Sequence, residues 1–478
     1  MKMKVKQSEY LRGIKPTLVN LRDRLLEEFP YASLLAQDSM AKNYSVSKTS
    51  TGIQMDGRLA GRGFVAKVYD GTSYAEYSFN ELSEEKIDEI VTQIKTNLIP
   101  MSEHLPEGVK KSAYAMLADD PMAFSDSTEY EIDPEEYGDE KIIAQLTKFS
   151  ETGRAYSEKV LDCRAFASYQ KCSKLFLSKN RDMEQNMLWM CGGLVVMATR
   201  GEEVKDSYKG FSVLGGAELL EKIGNYVGNV AQTALDLLES EPITPGEYEC
   251  ICEPGVTGMI AHEAFGHGVE MDMFVKNRAL AKQYVGKQVA SELVNMHDGA
   301  SAAKEVASYF FDDEGVPARD TLVIDRGILK AGISDAQSAM HLGTVPTGNG
   351  RRENYQRKAY TRMTNTYFEA GNNTVEDMIA SISYGFLLQN ASSGMEDPKN
   401  WGIQCMVDVA REIKDGKLTG KIFSPIVLTG YVPDLLKSIS MISDTVELGG
   451  SGFCGKGYKE WVKVSDGGPY IKAKIRLG

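Results

Sequence analysis

Between residues 5 and 28 the apolar positions Val5, Leu11, Ile14, Leu18, Leu21 and Leu25 mostly recur every three or four residues. That spacing lines one side of a helix and predicts a helix packed along that side. The pattern then changes. "YASLLAQDS", "GRGFVAKVYDG" and "YAEYSFN" are short β-like runs broken by turn residues, and predict strands of a meander. "LSEEKIDEIVTQIKTNL" returns to helical spacing, with Ser83 as the expected N-cap and acidic residues in the first turn. The order recurs further on. "DPEEYGDEKIIAQLTKFSETGRAY" predicts a helix, residues 161–211 strands, and "GAELLEKIGNYVGNVAQTALDLLES" a helix. "GFVAKVYDG" (Gly63 to Gly71) can be laid over "GLVVMATRG" (Gly193 to Gly201), which admits an internal duplication of residues 1–100 and 135–240. Between the copies, "LPEGVKKSAYAMLADDPMAFSDSTEYEID" reads as a long polar connection.

Pro242, Pro245 and Gly246 punctuate the chain, and a short apolar strand follows them. Beyond residue 300 come short β-like runs, with hairpins expected at Arg326-Gly327 and Asp415-Gly416. The expected fold class is α+β. Residues 1–242 form an N-terminal α+β domain of helix–β-meander–helix units, and residues 243–478 a β-rich domain carrying one metal-binding helix.

Composition narrows the function. The chain of 478 residues is 42% hydrophobic and 25% charged, the profile of a folded protein with more than one core. Its net charge of −13 and lack of a basic stripe argue against a nucleic-acid partner. The first residues are basic but lack an apolar segment behind them, so no secretion signal is read. The longest apolar run, Met187 to Ala198, is too short to span a bilayer. Seven scattered cysteines do not form a disulfide framework. A cytoplasmic protein with no membrane partner is expected.

One stretch carries chemistry. In "CEPGVTGMIAHEAFGHGVEMD", helical spacing runs through Val256, Met259, Ile260 and Phe265, so His262 and Glu263 should sit on a helix. Zinc-peptidase histidines are four apart, which places them about 40° apart around a helix. His262 and His267 are five apart, which would separate them by about 140° on a regular α-helix. Either the helix widens by one residue, as a π-bulge does, or Gly266 ends it and frees His267 to swing back. A hydrolytic zinc takes three protein ligands and keeps one place for water. From the residues alone, the third ligand could be Glu270, Asp272, His297, Cys250, Cys252, Cys405 or Cys454. Cys250, Cys252 and Cys405 lie in apolar strands and read more naturally as small core residues.

"HEAFGHGVEMD" resembles the metal motif of the TldD/PmbA family, His-Glu-x-x-x-His. Further similarity runs in order through "DDEGVPARDTLVIDRGILK", "TGNGRRENYQRKAYTRMTNTYFEAG" and "ELGGSGFCGKG". The resemblance covers about half the chain, and the first half matches only in general pattern. It implies a zinc-dependent peptidase acting on unfolded peptides inside a dimeric shell, with Cys454 as third ligand. Family members often pair an active chain with a paralogue lacking the motif. With its motif complete, this chain resembles the active, TldD-like type, in a homodimer or a heterodimer with such a paralogue.

On this reading Glu263 is the general base, taking a proton from the attacking water and passing it to the leaving amine. Gly348, Gly350, Arg351, Arg352, Tyr355 and Arg362, in the most basic segment, are candidate substrate contacts. The arginines would meet an oxyanion or a carboxylate, and the glycines would let a peptide backbone approach as an added strand. "GSGFCG" satisfies a dinucleotide pattern, but the helix and second strand such a site needs do not follow it. Two other readings remain open: a non-catalytic peptide-binding partner subunit, and a zinc hydrolase of another amide.

Overall fold

The computed structural model describes residues 2–103, 114–457 and 460–478. The first helix spans Glu9–Glu28 and is capped by Ser8, whose hydroxyl accepts from the Leu11 N–H at 3.1 Å. Leu11, Leu18, Leu21 and Leu25 are buried against Leu34, Ala36, Phe64, Ala66 and Leu175 on one face of a sheet. The second helix, Ile87–Glu103, adds Ile87, Ile90, Val91 and Ile94 to the same cluster. It is entered through a 3₁₀ turn, Glu84–Lys86, and Ser83 makes no side-chain capping hydrogen bond, contrary to expectation.

Both meanders belong to one eight-stranded sheet. Six of its strands run in the spatial order Glu203–Val213, Arg181–Arg200, Val160–Leu177, Tyr31–Val46, Gly61–Tyr69 and Tyr74–Phe79, and Thr51–Met55 and Met122–Ser127 pair off this path. The first strands of the two meanders pair antiparallel, from Leu34 opposite Leu177 to Val46 opposite Ala165. Helices Asp139–Arg154 and Val227–Leu237 cover the second meander through Ile142, Leu146, Phe149, Val230 and Ala234. Residues 105–113 of the polar connection lie outside the described residues. Its later part is not all loop, because Met122–Ser127 joins the sheet parallel to Arg181–Arg200. There Met122 and Phe124 alternate with exposed neighbours, the period of a half-covered strand.

The second half supplies two further sheets. Strand Gly246–Cys252 is paired on both edges, parallel to Tyr384–Asp397 and antiparallel to Ile471–Leu477. With Gly402–Lys414 and Ile426–Tyr431 these strands close into a ring. A six-stranded sheet contains Met296–Asp298, Thr321–Asp325, Asn365–Phe368 and Ser465–Gly468. The hairpins at Arg326-Gly327 and Asp415-Gly416 have positive φ at both turn residues (45° and 76°, 50° and 72°), the conformation that matches strand twist. The fold is mixed α+β with a β-rich second half. Among the described residues no helix is long and apolar enough to cross a membrane.

The two halves share a buried seam on the sheet face away from the helices. Leu35, Val65, Phe176 and Met183 pack on Phe311. Around that contact lie two ion pairs, Lys67 with Glu314 at 2.6 Å, which is buried, and Arg352 with Glu76 at 2.6 Å, which is partly buried. Burial opposes the charge of Glu76, but Arg352 and then Lys67 outweigh it and hold its pKa at about 2. A carboxylate depressed in this way stabilises the fold above its unfolded pKa, and that contribution is lost as pH falls toward 2. Glu76 is partly open to solvent, which screens the pair, so Glu76→Gln should cost on the order of 1 kcal/mol at pH 7. Urea unfolding should show the gap between parent and variant closing as pH falls from 4.5 to about 2. A gap that stays constant with pH would contradict the assignment.

Candidate metal centre

Pro254 and Gly255 turn the chain out of the ring strand into helix Pro254–Met259. Pro254 sits where a helix has no need of its N–H. From Ile260 to Gly266 the helix widens into a π-helix, and the His267 N–H reaches back five residues to the His262 carbonyl. A 3₁₀ turn, His267–Val269, follows. The widened turn brings positions five apart to one side. The two imidazole centroids lie 5.1 Å apart with their planes nearly perpendicular, at 89°. Gly266 does not end the helix, since its φ of −58° and ψ of −53° are helical. Its role is close packing: a Cβ there would lie 2.1 Å from the Met363 sulfur.

Cys454 comes from the short strand Phe453–Lys456, which pairs with Glu460–Lys463. Its Sγ lies 3.3 Å from His267 Nε2. One donor atom each from His262, His267 and Cys454 lies within 4.8 Å of the others. Burial works against a thiolate at Cys454, but the neighbouring His262 and His267 outweigh it and hold the thiol well below its ordinary range. Nδ1 of His262 is buried without a hydrogen-bond partner. Two imidazoles and an easily ionised thiol form a donor set that fits zinc, with three protein ligands and a fourth place free.

The surroundings fix these side chains. His267 Nδ1 lies 3.2 Å from Glu270 Oε2. Glu270 is buried, yet Lys456 and His267 hold its pKa at about 2. Lys456 Nζ donates to Glu270 at 3.0 Å, to Asp272 at 2.7 Å and to the Thr361 carbonyl at 3.0 Å. Glu270 and Asp272, two candidates for third ligand, are thus engaged beside the cluster and not within it. Arg362 donates to the carbonyls of Cys454 at 2.6 Å and Glu460 at 3.0 Å. Asp466 places a carboxylate oxygen 3.9 Å from His262 Nδ1. Lys456 and Asp466 were not singled out in the sequence. Lys456 carried a readable signal, because it lies two residues after Cys454 and so on the same face of a strand.

The remaining candidates lie elsewhere. His297 is bracketed by Asp320 and Glu369, each at 2.7 Å. Cys250, Cys252 and Cys405 are core residues with no exposure. The residues of the basic segment, expected as substrate contacts, are engaged within the protein. Arg351 donates to the carbonyls of Met363 and Lys463, both at 2.6 Å, Arg352 pairs with Glu76, and Arg362 is 1% exposed. Tyr355 packs its ring over Gly63. Gly348 accepts from Tyr309, and the Gly350 N–H donates to Asp312 while the residue pairs with Thr361. These groups hold the fold together, and none lines the cleft at the metal cluster.

That cleft, about 1240 Å³, runs between the edge strand Glu203–Val213 and the second half. His262, Glu263, His267 and Cys454 line it, together with Ala391–Glu396 and Glu447–Gly457. Gly394 lets its strand lie against Glu263, whose Cγ would be 2.4 Å from a Cβ at that position. Glu396, at the end of this stretch, buries both carboxylate oxygens without a hydrogen-bond partner.

Residues 245–476 match the PmbA/TldA metallopeptidase C-terminal domain. The chain is 33% identical over 252 residues to the metalloprotease TldD homolog of Buchnera aphidicola subsp. Acyrthosiphon pisum, covering 52% of each chain. It is 31% identical over 258 residues to the zinc metalloprotease TldD homolog of Saccharolobus solfataricus, covering 54% of this chain and 57% of that one. The match thus spans about half the length of these relatives. A metalloprotease of Methanocaldococcus jannaschii is 26% identical over 459 residues, covering 94% of this chain and 97% of that one. The fold is similar to that of TldE from Thermococcus kodakarensis, with a TM-score of 0.75 at 18% identity over 96% of this chain and all of that one. Residues 245–476 of this chain thus belong to the PmbA/TldA metallopeptidase C-terminal domain family.

Proposed function

We propose that this chain is a zinc-dependent peptidase in which His262, His267 and Cys454 hold the metal and Glu263 is the general base. The observation that carries the reading is the convergence of those three donors within 4.8 Å, in a cleft that Glu263 also lines. A bound zinc ion supplies Lewis acidity, lowering the pKa of a water to about 7 and polarising a carbonyl. Glu263 takes the proton of the attacking water on its carboxylate and delivers it to the nitrogen of the leaving amine. Glu270 fixes His267 through Nδ1, the partnership that sets the orientation of a ligating imidazole. Arg362 anchors the strand of Cys454 at the Cys454 carbonyl, and Lys456 anchors it two residues further on.

The cleft volume exceeds that of ordinary small-molecule pockets, about 300–1,000 Å³, which favours a peptide over a small amide. Its position between the two halves suits an extended, unfolded chain. Family resemblance extends the proposal to assembly with a second chain of the family, identical or paralogous, and to a cytoplasmic setting.

Glu263→Gln should retain zinc at the level of the parent and lose cleavage of an unstructured protein by about a hundredfold or more, the range typical of general acid–base catalysis. Cleavage products are read by mass spectrometry with and without chelator. Parental turnover in Glu263→Gln would remove the base assignment, and cleavage unaffected by chelator would remove the metal.

Cys454→Ala should purify with little zinc, whereas Cys250→Ala, Cys252→Ala and Cys405→Ala keep theirs. Lys456→Met should lower zinc affinity about 10- to 100-fold, as loss of groups behind metal ligands typically does. Elemental analysis and competition with a chromogenic chelator give both values. Full zinc in Cys454→Ala, with loss in one of the other cysteine variants, would move the third ligand.

A further inference from the structure

Lys463 lies on the strand that pairs with the strand of Cys454, and it is directly opposite Phe453. It is 5% exposed, yet it has no carboxylate within ion-pairing distance among the described residues. Its ammonium faces the rings of Phe453 at 4.4 Å and Trp189 at 4.8 Å. Its one side-chain hydrogen-bond partner among the described residues is Cys191 Sγ, at 3.3 Å. Cys191 is 3% exposed, and its sulfur also meets the Ser168 hydroxyl at 3.1 Å. It lies on strand Arg181–Arg200 of the first half, so the two atoms meet across the seam.

A buried lysine normally meets a carboxylate, because an unpaired ammonium is costly away from water. This one meets two aromatic rings and a thiol. Burial pushes the Lys463 ammonium toward the free amine, with Cys191 opposing. A cavity of about 80 Å³ lined by Lys463 and Trp189 is large enough to admit a molecule the size of hydrogen peroxide; Cys191 itself does not line it and is reached through its contact with the Lys463 ammonium.

We propose that Cys191 and Lys463 form an oxidant-sensitive covalent modification site that joins the two halves of the chain. The oxidant is a hydroperoxide. The Cys191 thiol is first oxidised to the sulfenic acid: one peroxide O–O bond breaks, an S–O bond forms and one water leaves. Lys463, having released its ammonium proton to solvent, attacks the sulfur with its amine lone pair. An S–N bond forms, the S–O bond breaks, and hydroxide leaves with an amine proton as a second water. Thiol, amine and one peroxide thus give the sulfenamide and two waters. A reducing dithiol reverses the link: its thiolate attacks the Cys191 sulfur, the S–N bond breaks with its electron pair going to the Lys463 nitrogen, and the second thiol displaces the Cys191 thiolate as the dithiol closes to a disulfide. The site is independent of the metal cluster and of the peptidase proposal.

The test uses the intact parent protein. It is exposed to a small molar excess of hydrogen peroxide, denatured, alkylated, digested and analysed by mass spectrometry. The expected product is a peptide pair joining Cys191 to Lys463, two hydrogens lighter than the sum of its parts and separated by dithiothreitol. A linked pair that also retains one oxygen has consumed a second peroxide, whose O–O bond breaks as one oxygen joins the linked sulfur and one more water leaves, and it supports the same Cys191–Lys463 link. Lys463→Met, treated alike, should give Cys191 as sulfenic or sulfinic acid and no linked pair. Cys191 that stays fully alkylatable, or that reaches sulfinic acid while Lys463 remains an unmodified site for trypsin, would overturn the proposal.

Discussion

Two imidazoles five positions apart on a regular α-helix point about 140° away from one another, and no side-chain rotation of buried residues closes that angle. The backbone closes it through the widened turn Ile260–Gly266. The wider turn needs room on its outer side. Gly266 makes that room against Met363, and Gly268, one position beyond His267, packs against Glu396. Once both imidazoles face one point, a third donor must come from outside the helix. It arrives on a short strand 187 residues from His267, which Arg362 anchors at the Cys454 carbonyl and Lys456 anchors two residues further on.

The halves of the chain are organised around the same point. The ring of strands seats the helix, while the edge strand Glu203–Val213 forms the opposite wall of the cleft. Ion pairs along the seam align the walls, and each would leave a stranded charge if its partner were removed. Arg352 in the segment after Gly348 serves this alignment, whereas Arg351 and Arg362 brace carbonyls within the second half, which explains why all three are absent from the cleft wall.

Sequence periodicity was informative wherever a local rule decides the structure. The leucine stripe of Glu9–Glu28, the two hairpins with positive φ and the irregular helix at His262 are all of this kind. The choice between a widened turn and an early helix end was not local, because it depends on how Gly266 meets Met363, almost a hundred residues later. Arg352 reads as a substrate-facing cation until its partner Glu76, 276 residues earlier, is placed beside it. Closure of the strand ring by pairing Gly246–Cys252 with Ile471–Leu477 is also long-range, and no local pattern announces it. Short helices such as Ala336–Leu342 and Val432–Lys437 contain too few turns to show a period. Lys456 could be placed beside Cys454 by its two-residue spacing, but its buried carboxylate partners Glu270 and Asp272, more than 180 residues earlier, could not.

The central claim is that one zinc ion is held by two imidazoles from the widened turn and one thiolate from the Cys454 strand. X-ray absorption at the zinc edge of the purified protein measures that donor set directly. The account predicts one sulfur at about 2.3 Å and two imidazole nitrogens at about 2.0–2.1 Å, with a light atom in the remaining place. A shell without sulfur, with two or more sulfurs, or with a single imidazole would contradict it.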